Sequence, residues 1–199
     1  MRYDLQIIAS WIKKGSTVLD LGCGKGELLH HLKEHKQVRG TGIESDEAKV
    51  SACIERGVQV VQGDITEEVS DYADQSFDYI ILSQTLQQVY QPDILIRELL
   101  RVGRRVIVSF PNFCHWAIRL QILFHGYAPK NHQLPYEWYD TPNIRVITIH
   151  DFRRFVKATK CTIVKEAALG STGDEMQGNI IRFLPNLRAT FGIFMVKNP

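Results

Sequence analysis

The stretch Thr17-Val18-Leu19-Asp20-Leu21-Gly22-Cys23-Gly24-Lys25-Gly26-Glu27-Leu28-Leu29 constrains the fold more than any other. A short, nearly continuous apolar run is stopped by three glycines at alternate positions, and a helical pattern follows. An apolar run without polar alternation is expected of a strand covered on both faces, which requires layers of helix above and below it. The glycines then occupy a strand-to-helix turn, where missing Cβ atoms permit positive φ and close approach to a ligand.

The rest of the chain repeats the alternation. Leu5, Ile8, Ala9 and Ile12 share one face of a helix predicted over Tyr3–Lys14. Further helices are predicted over Glu27–His35, Glu47–Arg56, Asp93–Val102, Cys114–Phe124 and Phe152–Thr159. Strands are predicted over Thr17–Leu21, Gly40–Glu44, Val58–Gln62, Phe77–Leu82 and Arg105–Phe110, with closing strands over Cys161–Ala168 and Phe191–Lys197. Thr148 and Asp151 form a variant capping box ahead of the last helix. Right-handed crossovers turn such a pattern into a doubly wound α/β sandwich of three layers, with a ligand crevice at the carboxyl ends of the strands. The 199 residues suit a single domain over 1–199. Its one irregular part is an aromatic and proline-rich loop at about 126–147, carrying Pro129, Pro135 and Pro142. Gly170, Gly173 and Gly178 mark a second segment, expected to be mobile.

Net charge is only +2, so no basic stripe suggests a nucleic-acid partner. Arg101, Arg104 and Arg105, like Arg153 and Arg154, read as solvated helix ends. Cys23, Cys53, Cys114 and Cys161 are too scattered for a metal or C-x-x-C motif. With no secretory leader pattern and no apolar run near the ~20 residues that span a bilayer, a cytoplasmic protein without membrane contact is expected.

A dinucleotide turn reads G-x-G-x-x-G; here the third glycine comes one place early, at Gly26. Asp20 would repel a pyrophosphate but favour a ligand carrying an ammonium and a sulfonium, which points to S-adenosylmethionine (AdoMet) or its product S-adenosylhomocysteine. Asp20, Gly22, Cys23, Gly24 and Gly26 form the expected cradle. Glu44 ends the second strand at the offset of a ribose-binding acid, with Ser45 beside it. Asp64 and the N–H of Ile65 are placed to meet an adenine edge, although Asp64 equally suits a helix N-cap. Ser83 and Gln84 follow the fourth strand and face the methionine end.

Together these residues resemble the class I AdoMet-dependent methyltransferases. The strings Leu82-Ser83-Gln84-Thr85-Leu86-Gln87, Arg101-Val102-Gly103-Arg104-Arg105, Ser109-Phe110-Pro111-Asn112-Phe113 and Leu134-Pro135-Tyr136-Glu137-Trp138-Tyr139-Asp140-Thr141-Pro142-Asn143-Ile144 narrow the resemblance to the methionine biosynthesis protein MetW family. That resemblance implies a Rossmann-like sheet of seven strands, mostly parallel with the last antiparallel. It also implies a role in methionine synthesis with homoserine O-acyltransferase as partner. Lys25 stands where the family usually carries an acid, and Arg145-Val146-Ile147 departs from the family pattern.

No catalytic residue is assigned. Gln84, Gln87 and Gln88 occupy the zone where a base would act and cannot take a proton; His115, Tyr136 and Glu137 are candidates for which structural roles suffice. An active methyltransferase of unidentified acceptor is the alternative to a binding and regulatory role. Tyr136, Trp138 and Tyr139 fit a docking surface or a satellite core under the loop, ahead of a lid.

Overall fold

The computed structural model describes residues 1–131, 134–171 and 176–199. Helix α1 (Tyr3–Trp11) precedes β1 (Thr17–Leu21), and then α2 (Glu27–Lys36), β2 (Arg39–Glu44), α3 (Glu47–Glu55), β3 (Gln59–Gln62), α4 (Ile65–Glu68), β4 (Tyr79–Ser83), α5 (Pro92–Val102) and β5 (Val106–Pro111) alternate. The remainder holds α6 (Trp116–His125), α7 (Ile149–Ala158), β6 (Thr162–Ser171), β7 (Gly178–Ile180), α8 (Pro185–Arg188) and β8 (Phe191–Lys197).

The strands form one sheet in the order β3-β2-β1-β4-β5-β8-β6-β7. The first five run parallel, and β8 inserts antiparallel between β5 and β6. The strand order reverses between β1 and β4, so the loops leaving those two strands diverge to opposite faces and open a crevice. Expected and observed sheets differ by one strand. Gly178–Ile180 adds an eighth at the edge, pairing Gly178 with Ser171 and Ile180 with Leu169. Three residues carry no periodicity of their own, and only the ladder makes them a strand. Gly170 and Gly178 are therefore held in that ladder rather than loose. Gly178 also lies against the ring of Tyr3, which a Cβ would approach to 2.5 Å; Gly173 lies outside the described residues.

Burial on both faces explains the unbroken apolar runs. Leu19, Leu21, Ile80, Leu82, Val106 and Val108 pack towards α5 and α7, where Phe110 sits 5.1 Å from Phe152 and 5.9 Å from Phe194. Val18, Tyr79, Ile81 and Ile107 face the other way, towards Ile8 and Ile12 of α1 and Leu28 and Leu32 of α2. Two helix starts differ from the pattern reading by more than one residue. α7 begins at Ile149 because Thr148 itself is the N-cap, accepting from the Asp151 N–H at 3.1 Å and donating to the Asp151 carboxylate at 2.7 Å. α6 begins at Trp116, with His115 as its cap. Among the described residues no helix is long and apolar enough to cross a membrane.

Candidate functional site

The carboxyl ends of β1, β2 and β4 border a cavity of about 1090 Å³. Its floor is the glycine turn. Gly22 and Gly24 adopt φ of 71° and 58°, in the left-handed region open to glycine. The N–H groups of Gly22 and Cys23 both donate to the Ile43 carbonyl, at 2.8 and 3.2 Å, tying the turn to β2. A Cβ on Gly22 would meet the Thr85 hydroxyl at 2.9 Å, whereas one on Gly24 would meet nothing within 4 Å. Gly26 departs from its expected place: it caps α2 and packs on Cys53 and Val58, and it does not line the cavity. Its glycine serves helix packing.

Glu44 is buried and acts as the clasp of the turn. Its carboxylate accepts from the Gly24 N–H at 2.9 Å and from the Asp46 N–H at 3.1 Å, and the Lys49 ammonium stands 3.7 Å away. Two backbone donors use two of roughly four lone-pair positions on a carboxylate, so capacity remains for two hydroxyls. Ser45 follows it on the cavity wall. Asp20 is only 4% exposed, and no hydrogen bond to its carboxylate is found among the described residues. Burial raises its carboxyl from 3.8 to about 7; Arg2 opposes the shift and Glu44 adds to it. An acid held half-neutral beside a cavity gains most from a cationic ligand.

Of the two roles left open for Asp64, the structure shows the helix cap. It is the N-cap of α4, accepting from the Thr66 N–H at 2.7 Å and from the Thr66 hydroxyl, and these bonds hold its carboxyl below the ordinary value. With Ile65 it also lines the cavity. At the end of β4, Ser83 and Ser109 hydroxyls lie 3.0 Å apart. Gln84 takes a φ of 53° and is held there by its N–H on the Ser109 carbonyl at 2.9 Å. A non-glycine residue in that conformation is uncommon and often marks a functional turn.

Two contributors were not apparent from pattern. Arg2 and Asp4, at the start of α1, close one end of the cavity: Arg2 pairs with Asp4 at 3.2 Å, and the Gln84 amide donates to Asp4 at 2.8 Å. The periodicity of α1 shows its core face and says nothing about what its first turn overhangs. Buried Gln87, whose side chain donates to the Gln84 carbonyl at 2.7 Å, accepts from the Ile144 and Arg145 N–H groups on its backbone carbonyl. It thereby fastens the irregular loop to the rim. Arg145 adds a bond to the Tyr90 carbonyl, giving that departure from the family pattern a local structural role.

The loop places Pro135, Tyr136, Pro142 and Asn143 on the cavity wall. Trp138 and Tyr139 are 75% and 71% exposed, which overturns the satellite-core reading for these two. They join Trp116, Leu123, Phe124 and Tyr127 as exposed apolar side chains on and beside α6. Of the candidate bases, only Tyr136 reaches the cavity. His115 caps α6 through Ala117 at 3.4 Å, and burial lowers its pKa; Glu137 pairs with Lys130 at 2.5 Å. Arg101 lies in the last turn of α5 as expected and bonds Asp74 and Glu98, whereas Arg153 lies in the middle of α7 and bonds Glu166.

Solved structures share this architecture. A SAM-dependent methyltransferase from Archaeoglobus fulgidus superposes with a TM-score of 0.72 at 15% identity, covering 98% of this chain and 91% of that one. A SAM-dependent methyltransferase from Methanosarcina mazei gives 0.66 at 15% identity, covering 96% of each. At such identities the likeness fixes the fold, that of the Rossmann-like SAM-dependent methyltransferases. Among sequences, the ubiquinone biosynthesis O-methyltransferase of Pseudomonas paraeruginosa is 32% identical over 106 residues, 49% of this chain and 45% of that one. The bifunctional methionine biosynthesis protein MetXA/MetW of Rhodopirellula baltica is 35% identical over 175 residues, 83% of this chain but 28% of that protein. This chain thus spans less than half of either curated relative. The sequence model described as methionine biosynthesis protein MetW matches residues 2–196, almost end to end, and with the glycine turn, the clasp and the sheet order in place, the chain belongs to the MetW family.

Proposed function

We propose that this protein binds AdoMet at the carboxyl end of its sheet and serves methionine biosynthesis as a partner of homoserine O-acyltransferase. The observation that carries the ligand is Asp20, a buried carboxyl without a hydrogen bond among the described residues, beside a turn with open backbone. In this reading Asp20 and Gln84 meet the charged methionine end, Glu44 the ribose hydroxyls and Asp64 with Ile65 the adenine. Support for the partner comes from the family and from the relative in which MetXA and MetW names share one chain. The exposed apolar side chains along α6 and the loop supply a surface of the kind that associates. Calorimetric titration with AdoMet, and with S-adenosylhomocysteine, should give saturable one-to-one binding; no heat at millimolar ligand overturns the reading. Co-purification with homoserine O-acyltransferase at micromolar concentration tests the partner.

A second reading, an active methyltransferase, draws on the size of the cavity. At about 1090 Å³ it matches or exceeds the roughly 300–1,000 Å³ of a one-ligand site and leaves room for an acceptor beside Tyr136. Release of S-adenosylhomocysteine with an acceptor panel decides between them.

Asp20 gives this ligand a pH signature. A cation favours the ionised carboxyl, so one proton must leave whenever binding occurs below pH about 7. AdoMet affinity should fall by up to about tenfold per pH unit on acidification below that point, and Asp20→Asn should flatten the profile. Unliganded stability should move oppositely. Between pH 3.8 and about 7 the unfolded chain releases a proton that the folded chain keeps, so stability is lost as pH rises through this window. Urea midpoints of wild type and Asp20→Asn at pH 5 and 8 measure that difference.

A further inference from the structure

Two thiols meet under the cradle. The Cys23 sulfur, in the glycine turn, lies 3.8 Å from the sulfur of Cys53 in α3, and both point at the Gly24 carbonyl, at 3.9 and 3.2 Å. The site is built around them. A Cβ on Gly42 would overlap the Cys23 sulfur, and one on Gly26 would stand 3.0 Å from the Cys53 sulfur. Glycines of β2 and of the turn thus leave room for one sulfur from the turn and one from α3. Cys23 lines the cavity and is half-buried, while Cys53 is fully buried behind it.

We propose that Cys23 and Cys53 are an oxidisable dithiol, a modification site that closes to a disulfide and disables the adjoining cradle. Its consequence for binding rests on the AdoMet reading above; the chemistry does not. The sulfurs must approach by less than 2 Å to reach the bonded distance of about 2.05 Å. A peroxide is the oxidant. The Cys23 thiolate attacks one peroxide oxygen and becomes a sulfenic acid, and the hydroxide released is protonated to water. The Cys53 thiolate then attacks the Cys23 sulfur and expels the second hydroxide, also protonated to water. Two thiols and one hydrogen peroxide give one disulfide and two waters, with both electrons passing to oxygen. Closure removes both thiol donors from the Gly24 carbonyl and pulls Cys23 out of the space above Gly42, so the turn that lines the cavity is redrawn.

Burial foremost, with Asp20 and Glu44 adding to it, holds both thiols above the ordinary range, so few thiolates exist at neutral pH. Closure should therefore be slow at pH 7 and faster at pH 9. A ligand seated on Cys23 should protect it.

The test uses the full chain carrying Cys114→Ser and Cys161→Ser, treated with hydrogen peroxide and mapped by mass spectrometry. The expected result is a single Cys23–Cys53 cross-linked peptide, AdoMet affinity at least about tenfold weaker, and full recovery with dithiothreitol. Added Cys53→Ser should replace the cross-link with a dimedone-trapped sulfenic acid at Cys23. Peroxide that oxidises Cys23 without forming the cross-link overturns the dithiol. A cross-link that leaves AdoMet affinity intact overturns its effect on the cradle. Reduced protein that binds no AdoMet overturns the cofactor reading and the consequence together, while the cross-linked peptide still decides the dithiol.

Discussion

Gly24→Val should abolish AdoMet binding while leaving a folded protein. Gly24 sits at φ 58°, where a β-branched residue is a genuine outlier, and the strain should cost about 1–3 kcal/mol of stability. No protein atom lies within 4 Å of the added Cβ, so clash within the chain adds little at that atom. Gly24 does line the cavity, so the isopropyl group takes up space that the ligand needs. The two effects separate experimentally. Urea denaturation should show the modest loss of stability, and calorimetry should show affinity reduced by at least about a thousandfold, roughly 4 kcal/mol. Wild-type affinity in a folded Gly24→Val protein would remove the turn from the ligand site.

Glu44→Ala should weaken AdoMet by about ten- to hundredfold, 1.5–3 kcal/mol, because bonds to a charged acceptor are lost. Its second effect is on the unliganded protein. The Gly24 and Asp46 N–H groups both lose their acceptor, and Lys49 loses the buried partner at 3.7 Å. Unmade bonds of this kind cost about 1–3 kcal/mol each when they stay buried. Glu44→Gln separates the roles. The amide keeps one oxygen to accept from the Gly24 N–H but lacks the charge and the second acceptor. Stability should recover most of the way, while AdoMet affinity recovers only in part. Affinity unchanged in Glu44→Ala would leave Glu44 as a structural clasp alone.

These positions show how far the chain could be read before its fold was known. As residues of the crevice, Asp20, Gly22, Gly24 and Glu44 were legible because a strand that ends in glycine, and an acid at the end of the next strand, announce themselves in local sequence. The cap formed by Asp64 and its place on the cavity wall were legible for the same reason, since an acid just after a strand suits both a cap and a crevice. Gly26 misled because the third glycine of a turn looks the same whether it faces a ligand or, as here, Cys53 and Val58. Arg2 and Asp4 were illegible as rim residues. The contact that sets them on the rim reaches far along the chain, Gln84 being eighty positions from Asp4. The edge strand at Gly178–Ile180 has too few residues to show a period and exists by pairing with β6.

By itself the sequence determined the alternation of strand and helix, the glycine turn, the acids at strand ends and the family strings around Leu134–Ile144. All of these depend on residues close together in the chain, where backbone preference and apolar spacing are decided locally. The tertiary structure alone decided that α1 overhangs the cavity, that the Glu44 carboxylate turns back onto Gly24, and that Cys23 meets Cys53 thirty positions away. Such contacts follow from how the crossovers stack helices on the sheet, and packing of that kind leaves no periodic trace in the residues that take part.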